Sequence, residues 1–114
     1  MAYTSAGLNA SVNGLATAGT YISMHTADPS TTGVNEVSGG SYARQQTTWG
    51  AASNGVRVGS QVTFSIPSGT TVAYWGLWSA ASGGTFLGGF ALPASDTFGS
   101  AGNELFTPTI SSTN

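Results

Sequence analysis

The chain has 114 residues with two arginines, no lysine, four acids and one histidine, so only 5% of it is charged and its formal net charge is −2. Two cations cannot neutralise a useful number of phosphates or anionic headgroups, so no nucleic acid and no membrane is expected as a partner; the lack of cysteine excludes disulfides and thiolate metal sites. With 39% hydrophobic and 11% aromatic residues the chain is too apolar for a disordered segment and long enough for one core, and a surface so poor in charge suits assembly rather than life as a monomer.

Residues 1–19 read as an N-terminal helical contact segment. Leu8, Val12 and Leu15 are spaced by four and three and share one helix face, which Gly14 and Gly19 weaken. A helix this short needs a partner surface, so its apolar stripe is expected to dock on a partner, such as a neighbouring subunit, or on its own domain. Residues 20–114 read as a single β-sandwich or jelly-roll-like domain. Its first strand, Thr20 to His25, places Ile22 and Met24 on one face and ends at the Asp28-Pro29 turn. Between Gly33 and Gln46, Gly39-Gly40 suggests a hairpin whose register sets Glu36 opposite Arg44. Such an exposed cross-strand pair contributes roughly 0.2–1 kcal/mol, and the sharper alternative is a pair reaching a neighbouring subunit.

Val62, Phe64 and Ile66 alternate with Thr63 and Ser65, as a strand with one wet face should, and Pro67-Ser68-Gly69 ends it. Thr71 to Trp78 is apolar on both faces and reads as a central strand. After the Ser82-Gly83-Gly84 turn, Thr85 to Leu92 is expected to pair back antiparallel, and a last strand runs from about Glu104 to Ile110. Short strands separated by turns at about ten-residue intervals give an all-β class with a short N-terminal helix.

His25, Asp28 and a serine could be drawn as a triad, but no Gly-x-Ser-x-Gly elbow accompanies them. Asp28 and Glu36 could at most help to hold a calcium ion. No catalytic, cofactor or metal residue is assigned, and no cofactor is expected. Trp75 and Trp78, three apart on a strand, fall on opposite faces, one for the core and one for an interface.

The run Tyr21 to Gln45, with its His25-Thr-Ala-Asp-Pro-Ser-Thr-Thr-Gly-Val-Asn-Glu36 core, together with Val72-Ala-Tyr-Trp-Gly-Leu-Trp78 through Thr85 and Gly102-Asn-Glu-Leu-Phe106, resembles a family of small virion proteins of tailed bacteriophages, either capsid decoration or tail-fibre proteins. The resemblance runs from about residue 20 to the end. It implies a non-enzymatic virion protein, made in the host cytoplasm, whose partners are the major capsid protein or other virion proteins and further copies of itself, as a homotrimer. Capsid decoration is the first expectation and a tail-fibre or tail-tip component the alternative, with an exposed aromatic available to glycans. The residues expected at subunit or capsid contacts are Leu8, Val12, Leu15, Glu36, Tyr42, Arg44, Trp75 and Trp78.

Overall fold

A computed structural model describes residues 2–112. The helix, α1 (Ser5–Ala18), begins where the Thr4 side chain accepts a hydrogen bond from the Gly7 amide at 3.1 Å, and ends where the Gly19 amide bonds the Leu15 carbonyl. Val12 and Ala16, one turn apart, are its buried residues. Among the described residues no helix is long and apolar enough to cross a membrane.

Among the described residues eight strands follow: β1 (Tyr21–His25), β2 (Gln45–Gln46), β3 (Val56–Val58), β4 (Val62–Ile66), β5 (Thr70–Trp78), β6 (Phe86–Phe98), β7 (Gly102–Phe106) and β8 (Thr109–Ser111). They form a four-stranded sheet of order β2-β1-β5-β6 and two ribbons, β3-β8 and β4-β7, all antiparallel. The β4-β7 ribbon covers one face of the main sheet, while α1 lies against β3 and β8. The result is an all-β, sandwich-like fold with one short helix. Its core joins Val12 and Ala16 of the helix to Ile22, Met24, Val72, Trp75 and Leu77 of the sheet, and to Val62, Phe64 and Ile66 of the covering ribbon.

The clean alternation of β4 is realised in full: Val62, Phe64 and Ile66 are buried, Thr63 and Ser65 exposed. The apolar run of β5 occupies the expected interior place between β1 and β6. Three expectations are corrected. The hairpin about Gly40 does not form. Both of its arms pair instead with the same edge of β1, Gln45 and Gln46 opposite Ile22 and Tyr21, and Glu36 opposite His25, with Val37 donating to the Met24 carbonyl. A strand edge with unpaired carbonyls and amides offers both arms more backbone bonds than their mutual pairing would, and residues 38–44 are left as a loop between them.

The strand after Thr85 runs on to Phe98 because its register slips: Val72 faces Asp96 while Tyr74 faces Ala91, so Ala73 alone stands opposite Leu92 to Ser95. Pro93 sits in this bulge, where the lost amide proton costs no ladder bond. The final expected strand is divided at Thr107-Pro108, and β7 and β8 join different ribbons. Pro108 cannot donate to a ladder, and its carbonyl takes the Gly59 amide.

Candidate functional site: the polar face of the central sheet

Period two divides β1 into Ile22 and Met24 on the core face and Tyr21, Ser23 and His25 on the other. The β1–β5 register then sets Gly76 against Ser23 and Trp78 against Tyr21. Ser23 and His25 are both fully buried. The His25 Nδ1–H donates to the Val34 carbonyl at 2.8 Å, and because a carbonyl can only accept, this fixes the tautomer. Nε2 is left to accept from the Ser23 hydroxyl at 2.7 Å, and Ser23 Oγ accepts in turn from the Trp78 indole N–H at 2.9 Å. Donor and acceptor match at every step. Gly76 makes the room: a Cβ there would stand 2.6 Å from Ser23 Oγ and 2.8 Å from His25 Nε2.

Burial pushes the His25 imidazole below its ordinary pKa; the Val34 carbonyl and Glu36 oppose this, and Arg44 adds to it. The ring is thus held neutral. Asp28 does not complete a triad, since Val34 occupies Nδ1 and the Asp28 carboxylate accepts from the Ser30 amide within its own turn. A Ser–His pair sealed from solvent and used for packing has no place for a reacting atom.

The segment 26–44 roofs this face, and Arg44 pins the roof down. Its guanidinium lies 3.6 Å from the centre of the Trp78 ring. Nε and Nη2 donate to the two Glu36 oxygens at 3.1 and 3.0 Å, and Nη1 donates to the Ala80 and Gly83 carbonyls at 3.1 and 2.9 Å. Tyr42 donates to Glu36 Oε2 at 2.8 Å and accepts the Met24 amide at 3.0 Å, and burial above all raises its phenol well beyond the ordinary range. Both Glu36 oxygens are therefore taken, and so are four of the five N–H bonds of Arg44. The Glu36–Arg44 pair expected from sequence exists, but as a clamp between two loops of one chain rather than a rung of a hairpin.

The residues expected at contacts fall into two groups. Glu36, Tyr42, Arg44 and Trp78 are brought together in this clamp. Trp75 is buried in the core, against Phe90 and Phe106 at ring distances of 4.5 and 5.2 Å, and Val12 is buried there too. Leu15 packs on the core half-buried, and Leu8 is half-buried as well. The two tryptophans do lie on opposite faces of the sheet.

Sequence reasoning missed the apolar side chains that the fold leaves outside: Val34, Val56, Val58, Phe90 and Leu105, of which Leu105 is 57% exposed. For β3 a signal was present. Val56-Arg57-Val58 alternates with the cation turned inward, where Arg57 donates to the Gly50 and Trp49 carbonyls and to Asn13 Oδ1. An inward arginine puts the valines outside.

A polar interior whose groups lock loops, on a chain with only Asp28 and Asp96 as exposed charges among the described residues, is the arrangement of a structural subunit. The family described as Podophage GP4 fiber I protein gp80 matches residues 4–111. The chain belongs to this podophage fibre family. Membership makes it a tailed-phage structural protein and a virion component. No curated protein matches the chain significantly.

Proposed function

We propose that the chain is a non-enzymatic subunit of a virion fibre, assembled with copies of itself as a trimer and attached to the phage particle through other virion proteins. The observation that carries this reading is the family match across nearly the whole chain. The geometry supports it: the polar groups of the loop clamp are used within the chain, whereas Val56, Val58, Phe90 and Leu105 remain outside and available to a neighbour. Contacts of this kind need no charge. Repetition around a symmetry axis and along a particle turns modest single contacts into retention.

Two measurements test the proposal. Light scattering on the purified chain should give a trimer, and Val58→Glu should shift it to monomer without unfolding it; a wild-type monomer at all concentrations overturns the trimer. Imaging of virions should place the protein in thin projecting densities. An even layer over the capsid shell would overturn the fibre reading in favour of the capsid decoration role that the sequence resemblance puts first.

A further inference from the structure

We infer that Asn54-Gly55 is a site of spontaneous backbone rearrangement, held in check by α1, and that its reaction releases the helix. Asn-Gly is the pair that best fits a two-residue hairpin turn, since both positions require positive φ; here φ is 50° at Asn54 and 79° at Gly55, between the mutually bonded Ser53 and Val56. The same pair is chemically the most labile asparagine setting, because a glycine amide meets no side-chain hindrance as it approaches the asparagine Cγ. The Gly55 nitrogen forms a bond to Asn54 Cγ, and the side-chain amino group leaves as ammonia with the Gly55 proton. Water then opens the five-membered imide at either carbonyl. Opening at Cγ gives aspartate; opening at the Asn54 main-chain carbonyl gives isoaspartate, whose backbone is one methylene longer.

The fold restrains each part of this step. The Gly55 amide proton is engaged by Asn9 Oδ1 at 2.7 Å, and the Asn54 side-chain oxygen accepts from the Ser5 hydroxyl at 2.8 Å. Both partners belong to α1. On the other side the Gly55 carbonyl takes the Ser112 amide, and a Cβ at Gly55 would stand 2.5 Å from the Ser112 carbonyl oxygen and 2.8 Å from Leu8 Cβ. The turn is thus enclosed between helix and C-terminal segment, and the Gly55 nitrogen is free to attack only when the helix lifts. An isoaspartate, in turn, cannot keep a two-residue turn in register. It would break the two side-chain bonds that seat the N-terminal half of α1 and expose Leu8.

The test incubates the full chain in mildly alkaline buffer and follows the one-dalton gain on the Asn54 peptide, with isoaspartate identified enzymatically and α1 protection read by hydrogen exchange. Wild type should convert far more slowly than the denatured chain. Asn9→Ala should convert several-fold to about tenfold faster, the population change expected from losing one hydrogen bond, and converted protein should lose amide protection in α1. Asn54→Gln should show no gain. Equal rates in wild type and Asn9→Ala, a gain at Asn13-Gly14 instead, or full α1 protection after conversion would each overturn the inference. If Asn9→Ala does not fold, Ser5→Ala provides the same comparison through the weaker, exposed bond, and an unchanged rate there also overturns it.

Discussion

The two faces of the central sheet are held by different physics. On the core face Ile22, Met24, Trp75 and Leu77 meet Phe64 and Ile66 with no polar side chain among them, so the packing is non-directional and each contact is replaceable by another of similar volume. On the opposite face Ser23, His25 and Trp78 are as well buried, yet every polar atom has an assigned partner, and one guanidinium joins the roof to Trp78 and the 80–83 loop. The core face sets the stability of the fold; the polar face sets the conformation of two long loops. No described buried side-chain nitrogen or oxygen lacks a partner, which is what makes a polar interior tolerable.

The largest effect should come from the core face. Phe64 is fully buried and stacks on Tyr42 at 6.2 Å. Phe64→Ala should cost about 3–5 kcal/mol, measured by denaturant unfolding, with the midpoint falling and the slope unchanged. A loss below about 1 kcal/mol, in the range of a surface substitution, would mean that this face is not the dominant source of stability.

Next comes the clamp. Arg44→Ala should cost about 2–3 kcal/mol, less than the full penalty of breaking a deeply buried pair because the Glu36 side chain left behind is 22% exposed. Arg44→Lys should not restore it, since a point charge can neither bridge both Glu36 oxygens nor stack on Trp78. Removing Glu36 and Arg44 together should cost less than the sum of the single changes. The distinction between faces lies in fluorescence and exchange: Trp78 and the 80–83 loop should respond, whereas the environment of Trp75 should not.

The same contrast explains what could be read from the sequence. β4 and β5 were legible because burial imposes period two or a continuous apolar run, and both survive in composition alone. The Thr4–Ala18 helix was legible from Leu8, Val12 and Leu15. The polar face was not, because its order depends on where Gln45 and Glu36 pair, and a glycine pair between extended arms signals a hairpin whether or not a third strand competes for both arms. The offset of Glu36 from Arg44 gave the right pair for the wrong reason. β2, two residues long, carries no periodicity to read, β3 offers only the single alternation of Val56-Arg57-Val58, and the Leu92–Ser95 bulge is a tertiary adjustment marked only by Pro93.

The buried histidine makes the polar face acid-sensitive. Its folded pKa lies below that of the unfolded chain, about 6.5, chiefly through desolvation. The contribution is fully present above pH 6.5 and is lost as the pH falls from there towards the folded value, by up to about 1.4 kcal/mol per pH unit. Thermal melts of wild type and His25→Gln across pH 5–8 check this: the wild-type midpoint should fall on the acid side of 6.5, and the variant, less stable at neutrality, should lack that fall. Parallel curves would show that His25 does not titrate differently on folding.

The smallest effect belongs to the open edge of the core face, and its sign is opposite. Asp96, facing Val72 on β6, and Glu104, facing Phe64 on β7, stand at equal distances from the turn that carries the chain between the two layers. This brings the Glu104 carboxyl, when it holds its proton, within reach of the Asp96 carboxylate as a hydrogen-bond acceptor. Desolvation first, then the bond to Asp96 and its charge, push the Glu104 carboxyl from 4.5 up to about 7. A raised folded pKa stabilises fully below 4.5, and that contribution is lost as the pH rises through about 7. Because Glu104 is only half-buried, solvent screens much of the effect. Glu104→Gln keeps a donor for Asp96 at every pH, so the difference in melting temperature, variant minus wild type, should grow steadily from pH 4.5 to pH 7 and level off above it. A difference that is flat over this range would show that Glu104 does not hold a proton against Asp96, and that pH-dependent stability is confined to the polar face.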